Sequence, residues 1–291
     1  MTDPEILEYA AFTTDPAGGN PAGVVLDASA LDDAQMLAIA ARLGHSESAF
    51  VTGPYASDAA PTGRGFTIRY FSPMAEVPFC GHATVATAAA LAEQIGPGDL
   101  LLATRSGDVP VTVREDSGVL RATLTSVTPY VEDVDPDDVA AALGLLGWTP
   151  DELDPTLPPR IAYAGARHLV LAAATRQRLA DLAYDFEGLA ELMHELDLTT
   201  LQLVWRASED TFVVRDPFPV GGVVEDPATG AGALAFGAYL RELGAVPAAA
   251  RLTLHQGEDL GRPSRLEVEL RADDDRVRVT GAAVRLRRDE P

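Results

Sequence analysis

Two stretches of the chain, EVPFCGHAT (76–84) and EDPATGAGA (225–233), set a glycine at the mouth of a run of small residues, each in the register Glu-x-Pro-x-x-Gly. A helix that starts at Gly81 or Gly230 exposes unpaired N–H groups and carries roughly half a positive charge there. Glycine lets a ligand approach those groups, and Ala83, Ala231 and Gly232 keep the approach open. Each stretch therefore reads as a seat for an anion: a carboxylate, or an oxyanion formed during reaction. Chemistry is sought where the stretches differ: Cys80 against Thr229, His82 against Ala231, Asp226 against Val77. In a first turn the helix field lowers the pKa of His82 and leaves a neutral donor; the plainer reading is a polar cap bonded to a carbonyl. Asp226 reads either as a helix cap or as a proton-handling carboxylate. Cys80 reads as a low-pKa thiolate or as a small buried filler. A third stretch, GHSESAF (44–50), places Glu47 between a helix end and an apolar strand. Apolar company raises a carboxyl pKa and makes a proton shuttle, whereas a solvated junction glutamate does nothing. In GGNPAGVV (18–25), Asn20 precedes Pro21 and is held out of helical geometry, so its amide points into a cleft or steadies a turn.

Absences narrow the chemistry further. The 291 residues contain no lysine, which excludes a lysine Schiff base and a P-loop lysine. One cysteine allows neither an internal disulfide nor a two-thiol racemase. The five histidines (45, 82, 168, 194, 255) are scattered, with no HExxH and no Cys/His cluster, so no metal is expected. A net charge of −22 argues against nucleic acid and anionic membranes as partners. The longest apolar stretch, Ala83–Ala92, is about half of what spans a bilayer. MTDPEILEYA has no basic flank of a signal peptide, and the protein is expected to be cytoplasmic.

The elements that must position these residues occur twice. Strand-like EILEYAAFT, a helix over LDDAQMLAIAARLG, strands ESAFVTG and GFTIRYFSP, and a small-residue helix over 82–94 precede the strands LLATRSG, VPVTVRE and VLRATLTS. After a short helix near 136–143 the order returns: strand RHLVLAA, helical runs near 175–194, strands LQLVWRA and TFVVRDPFP, the helix TGAGALAFGAYLRELG, strands ARLTLHQG and SRLEVELRA, and a closing RVRVTGAAVRLR. Arg69, Pro73, Glu76, Pro78 and Gly81 match Arg215, Pro219, Glu225, Pro227 and Gly230, an offset of roughly 150 residues. Residues kept in both copies read as scaffold. The repeat predicts two similar lobes related by a pseudo-twofold axis, 1–127 (completed by a strand at 276–288) and 128–275, whose helix starts converge on one cleft.

GNPAGVV, SESAFV, IRYFSPMAEVPFCGHAT, VVRDPFPVGGVVEDPATGAG and QGEDLGRPS, in this order over residues 19–264, resemble the PhzF-like phenazine-biosynthesis family, relatives of diaminopimelate epimerase and proline racemase. The resemblance implies an α+β fold of two pseudo-symmetric lobes, each a curved, mostly antiparallel sheet around a central helix. It also implies a homodimer, no cofactor, and a proton-shift isomerisation like that of trans-2,3-dihydro-3-hydroxyanthranilate. By resemblance Glu47, His82 and Asp226 are catalytic, while Asn20, Ser46, Gly81, Gly230 and Ala231 bind a small carboxylate substrate. Ala231 replaces the serine of the phenazine enzymes, and Cys80 matches one cysteine of the two-cysteine epimerases. Alternative readings are an epimerase or racemase of an amino acid derivative and a non-catalytic carboxylate binder.

Overall fold

The computed structural model describes residues 4–286. It divides into two compact units. One takes the chain up to Thr125 together with the residues from Thr280 onward, and the other is Ser126–Val279.

The first unit contains β1 (Leu7–Ala11), β2 (Asn20–Val25), α1 (Asp33–Leu43), β3 (Ser48–Pro54), β4 (Gly65–Phe71), β5 (Glu76–Val77), α2 (Gly81–Ile95), β6 (Gly98–Thr104), β7 (Gly107–Asp116) and β8 (Val119–Thr125). Strand pairing runs β8–β7–β6–β4–β3–β2–β1, with β2–β3 and β4–β6 parallel and the other pairs of the series antiparallel. The last strand among the described residues pairs with both β1 and β8 and closes the ring. Inside lies α2, whose residues Gly81–Ala92 are buried without interruption. Small side chains make this possible, because strands can approach a helix of Ala, Gly and Thr from every side. Thr84 and Thr87 satisfy their hydroxyls on the carbonyls of Cys80 and Ala83, at 2.6 and 2.7 Å. Outside the ring, α1 is capped by Asp32 and stopped by Gly44 at φ 70°. It lays Met36, Ile39 and Ala40 on Phe50 and Phe71.

The second unit contains β9 (Tyr130–Glu132), α3 (Pro136–Leu146), β10 (Arg160–Tyr163), β11 (Arg167–Ala172), α4 (Arg176–Ala180), α5 (Phe186–Glu195), β12 (Thr200–Arg206), β13 (Thr211–Phe218), β14 (Val223–Asp226), α6 (Gly230–Glu242), β15 (Ala250–Gln256) and β16 (Ser264–Arg271). A two-residue turn leads into β17 (Asp274–Arg285), which continues into the first unit. Pairing runs β9–β10–β11–β12–β13–β15–β16, with β14 added beside β13. Strands from both ends of this series touch α6, so the sheet curls around that helix. Alternation along each strand sorts the two faces. Leu169, Leu171, Leu201, Leu203 and Val213 look outward to α3 and α5 in one apolar cluster. Phe212 looks inward and meets Phe236 of α6 edge-on, with ring centroids 4.9 Å apart.

Most boundaries agree with the sequence pattern to within one or two residues. The short strands β5, β9 and β14 are too brief to show a period, and β2 begins at Asn20 itself instead of following a turn. The closing strand, expected over 276–288, spans Asp274–Arg285, and positions 287 and 288 lie outside the described residues.

Gly257 is pressed against backbone in a loop of the second unit. Its φ is +76°, and a Cβ there would lie 2.4 Å from the Arg262 carbonyl oxygen and 2.7 Å from that of Pro227. Backbone cannot yield as a side-chain tip does. Gly257→Ala is therefore expected to destabilise the protein by about 1–3 kcal/mol. The check is a lower denaturant midpoint at unchanged m-value; an unchanged midpoint contradicts the argument.

Candidate active site

Six α-helices begin among the described residues, and their caps fall into two groups. Asp32, Asp135, Thr175 and Asp185 turn a side-chain oxygen onto the first-turn N–H groups of α1, α3, α4 and α5. The two central helices have no side-chain cap. Cys80 precedes α2 in extended geometry, and Thr229 precedes α6 with its hydroxyl turned elsewhere. Their first-turn N–H groups therefore keep the partial positive charge that capping offsets elsewhere.

Around the start of α2 the first unit assembles a buried polar cluster. The turn after Gly44 carries His45, which meets Glu8 at 2.8 Å, then Ser46 and Glu47 at the entry to β3. Glu47 is 7% exposed and His82 3%. His82 Nε2 lies 3.3 Å from Ser46 Oγ and 3.7 Å from Glu47 Oε2, while its Nδ1 lies 3.3 Å from Cys80 Sγ. Burial pushes Glu47 above the usual carboxylate range, and hydrogen bonds from Ser46 and Cys80 pull it back only in part. Burial also pulls His82 down to about 3, with the nearby His45 adding to the effect. The direction expected from the sequence is right, but the principal cause is desolvation, not the helix field. His82 is a neutral imidazole, and its neighbours are a hydroxyl, a thiol and a carboxyl instead of the backbone carbonyl of a cap.

The donor atoms of Glu47, Cys80 and His82 all lie within 4.8 Å of one another. Sequence spacing gave no sign of this Glu–Cys–His trio. Glu47 stands 33 positions before Cys80, so spacing hid a trio that the ring of strands creates. Carboxylate, thiolate and imidazole are ligands that suit a divalent ion such as Zn²⁺. Asn20 is buried at the start of β2, opposite Ala11.

In the second unit Asp226 ends β14 and is buried. The sequence offered it as a cap for α6. Instead Thr229 holds the cap position and donates its hydroxyl to Asp226 Oδ2 at 2.7 Å. Gln256 completes the network. Its Nε2 donates to the Asp226 carbonyl at 2.8 Å and to Thr229 Oγ1 at 2.9 Å, and its Oε1 accepts from the Thr229 N–H at 3.0 Å. Gly230 and Ala231, both buried, open the helix directly after this network. Thr229 stood among the positions where the two stretches differ, but sequence reasoning passed over Gln256 and the fully buried Asp216; for Asp216 the one available signal was an acidic residue inside the apolar run TFVVRDPF.

The buried ionisable groups give a pH prediction. His82 and His168 are both held near 3, against 6.5 when solvated. Between those values the unfolded chain binds a proton at each that the folded chain does not. Stability therefore falls with falling pH by about 1.4 kcal/mol per unit per histidine. Glu47 and Asp216 act with the opposite sign, since their raised folded values add stability that is fully present below the ordinary 4.5 and 3.8 and is lost as pH rises through the folded values. Below about pH 4 the carboxyls are protonated in both states and the histidines act without that offset. Denaturant midpoints are expected to drop most steeply there; a flat profile from about pH 6 to 3 contradicts the assignment.

The comparisons agree with this architecture. A family model described as phenazine biosynthesis-like protein matches residues 9–288. An uncharacterized isomerase of Escherichia coli K12, YddE, is 32% identical, with 97% of this chain and 96% of that protein covered. A protein of Pseudomonas aeruginosa named trans-2,3-dihydro-3-hydroxyanthranilate isomerase is 31% identical over 92% of this chain and 90% of its own length. The solved structure of a predicted epimerase from Pseudomonas aeruginosa superposes with a TM-score of 0.86 at 29% identity, covering 99% of both chains. The chain belongs to the PhzC-PhzF family of phenazine biosynthesis-like proteins.

Proposed function

We propose that the protein is a cofactor-independent isomerase that moves a proton within a small carboxylate, cyclic unsaturated ones included. The observation that carries this reading is the buried carboxyl of Glu47, 3.7 Å from a neutral imidazole. A carboxyl whose pKa is raised by burial can both take a proton from carbon and return it. In this reading Glu47 takes the proton beside an unsaturated or carbonyl system and delivers it to a second carbon. A neutral His82 donates a hydrogen bond to the oxygen on which charge develops. Asp226 is given a proton-relay role. The uncapped starts of α2 and α6, at Gly81 and Gly230, are given the negative charge of substrate carboxylate or enolate. Asn20, Ser46 and Ala231 complete the binding set. We further propose that the two units are copies of one ancestral lobe, each a curved sheet around a central helix, and that the protein works as a cytoplasmic homodimer.

The name of the Pseudomonas aeruginosa relative suggests the first compound to try. In deuterated water the protein is expected to convert trans-2,3-dihydro-3-hydroxyanthranilate with uptake of one solvent deuteron at the carbon that receives the proton. Ala231 stands where the phenazine enzymes carry serine, so close analogues belong in the same screen. Inversion at a single carbon identifies an epimerase instead. Binding of such acids with neither product formation nor exchange into any of them defeats the catalytic reading.

A further inference from the structure

Asp216 is the most deeply buried carboxyl of the second unit, with no measurable exposure and no hydrogen-bond partner on either oxygen. It lies opposite Asp226 in the β13–β14 ladder, so the two Cα atoms are about 4.5–5.5 Å apart and the side chains share one face. That face looks at α6. A Cβ on Gly232 would lie 2.4 Å from Gln202 Oε1 and 3.0 Å from Asp216 Oδ2, so only a glycine in the first turn of α6 leaves room for them. The first unit shows what a purely structural solution looks like. The repeat aligns Asp216 with Tyr70 and Asp226 with Val77. There the phenol is hydrogen-bonded to Thr84 at 2.6 Å and its cross-strand neighbour is apolar. The second unit has exchanged that satisfied pair for two adjacent buried carboxyls.

We propose that Asp216 and Asp226 act as one carboxyl pair sharing a single proton, with Asp216 the neutral, positioning member behind Asp226. Two carboxylates side by side in an apolar site cannot both ionise. Asp226 is the better place for the charge, because Thr229 donates a hydrogen bond to it. Burial above all, and then the charges of Asp226 and Glu225, hold Asp216 in its protonated form, opposed only in part by the nearby donors of Thr229 and Gln256, neither of which completes a hydrogen bond to it. From β12 the facing group is the uncharged Gln202, and the first turn of α6 brings no charge. A proton arriving at Asp226 makes the pair neutral, and its departure restores one negative charge. Asp226 can thus accept and release a proton without the pair ever carrying two charges.

The catalytic use of this pair rests on the isomerase reading, but the pair itself is measurable without a substrate. Infrared spectra of the whole protein near neutral pH are expected to contain the C=O stretch of protonated carboxylic acid. Asp216→Asn should remove one component that Glu47→Gln leaves in place. Asp226→Asn leaves Asp216 intact and removes its charged neighbour, so the Asp216 component should disappear at a pH lower by about one unit or more. A spectrum that Asp216→Asn does not alter, or a component whose titration ignores Asp226→Asn, overturns the pair. The kinetic readout is the pH profile of deuterium uptake, which Asp216→Asn should displace. A wild-type protein that neither forms product nor takes up deuterium refutes the isomerase reading and leaves the infrared result standing.

Discussion

Glu47→Gln is expected to stop solvent deuterium from entering the substrate while leaving the fold intact. The loss should be about 10²–10⁴-fold, the range that a positioned acid–base group supplies. Two features make this variant informative. Glu47 is buried and biased toward its protonated form, so a neutral amide of the same size replaces it without stranding a charge. Its neighbours Ser46, Cys80 and His82 still face a polar group able to hydrogen-bond. The denaturant midpoint should therefore stay close to wild type while turnover collapses. Undiminished exchange in the variant removes Glu47 from the mechanism, and the proton shuttle must then be sought elsewhere in the site.

The largest stability effect is expected at the other kind of residue, the pair that recurs in both units. Arg215 holds Glu225 through two bonds of 3.0 and 2.5 Å, with side-chain exposures of 9% and 1%. Arg69 holds Glu76 through two bonds of 2.8 and 2.6 Å, but at 19% and 11% exposure and with Asp33 as a further partner. Glu225→Ala leaves a guanidinium in the interior with only the Leu179 and Ala180 carbonyls to receive it. Removing one partner of such a pair costs about 3–5 kcal/mol. Glu76→Ala leaves Arg69 bound to Asp33 and nearer to water, and should cost clearly less. Thermal or denaturant unfolding of the two variants checks the order; equal losses would show that burial is not what sets the energy.

That comparison also shows what the chain reveals before folding. Arg69/Glu76 and Arg215/Glu225 read as scaffold because both copies keep them, and in both units they form the same two-pronged ion pair. The helix starts were equally legible, since Gly81 and Gly230 sit in matching frames ahead of small residues. Periodicity located α1 because it is amphipathic, with Asp32 and Gly44 at its ends. The site was only half legible. Glu47, His82 and Asp226 could be named individually, but nothing local says that Glu47, Cys80 and His82 meet. Their meeting depends on α2 running inside a closed ring, a fact of pairing between distant strands. Asp226 looked like a cap because proximity to a helix start is all that a sequence displays; the rotation of the Thr229 hydroxyl toward it is a tertiary choice. Asp216 was passed over for a related reason. Its meaning comes from the strand beside it, and β14 is too short to announce itself.

The path of β17 has a consequence for how the protein is made. Its last residues, paired with β1 and β8, come from the far end of the chain. A nascent polypeptide emerging from the ribosome has translated all of β1–β8 long before the strand that seals them exists. Until then two open strand edges and the apolar surface of α2 wait unsealed, a state that invites association with other chains. Completion of the first unit's ring thus waits for the residues beyond Val279. Refolding from denaturant is expected to be slow, because the closing strand must find partners from the other end of the described chain, and rapid refolding contradicts this.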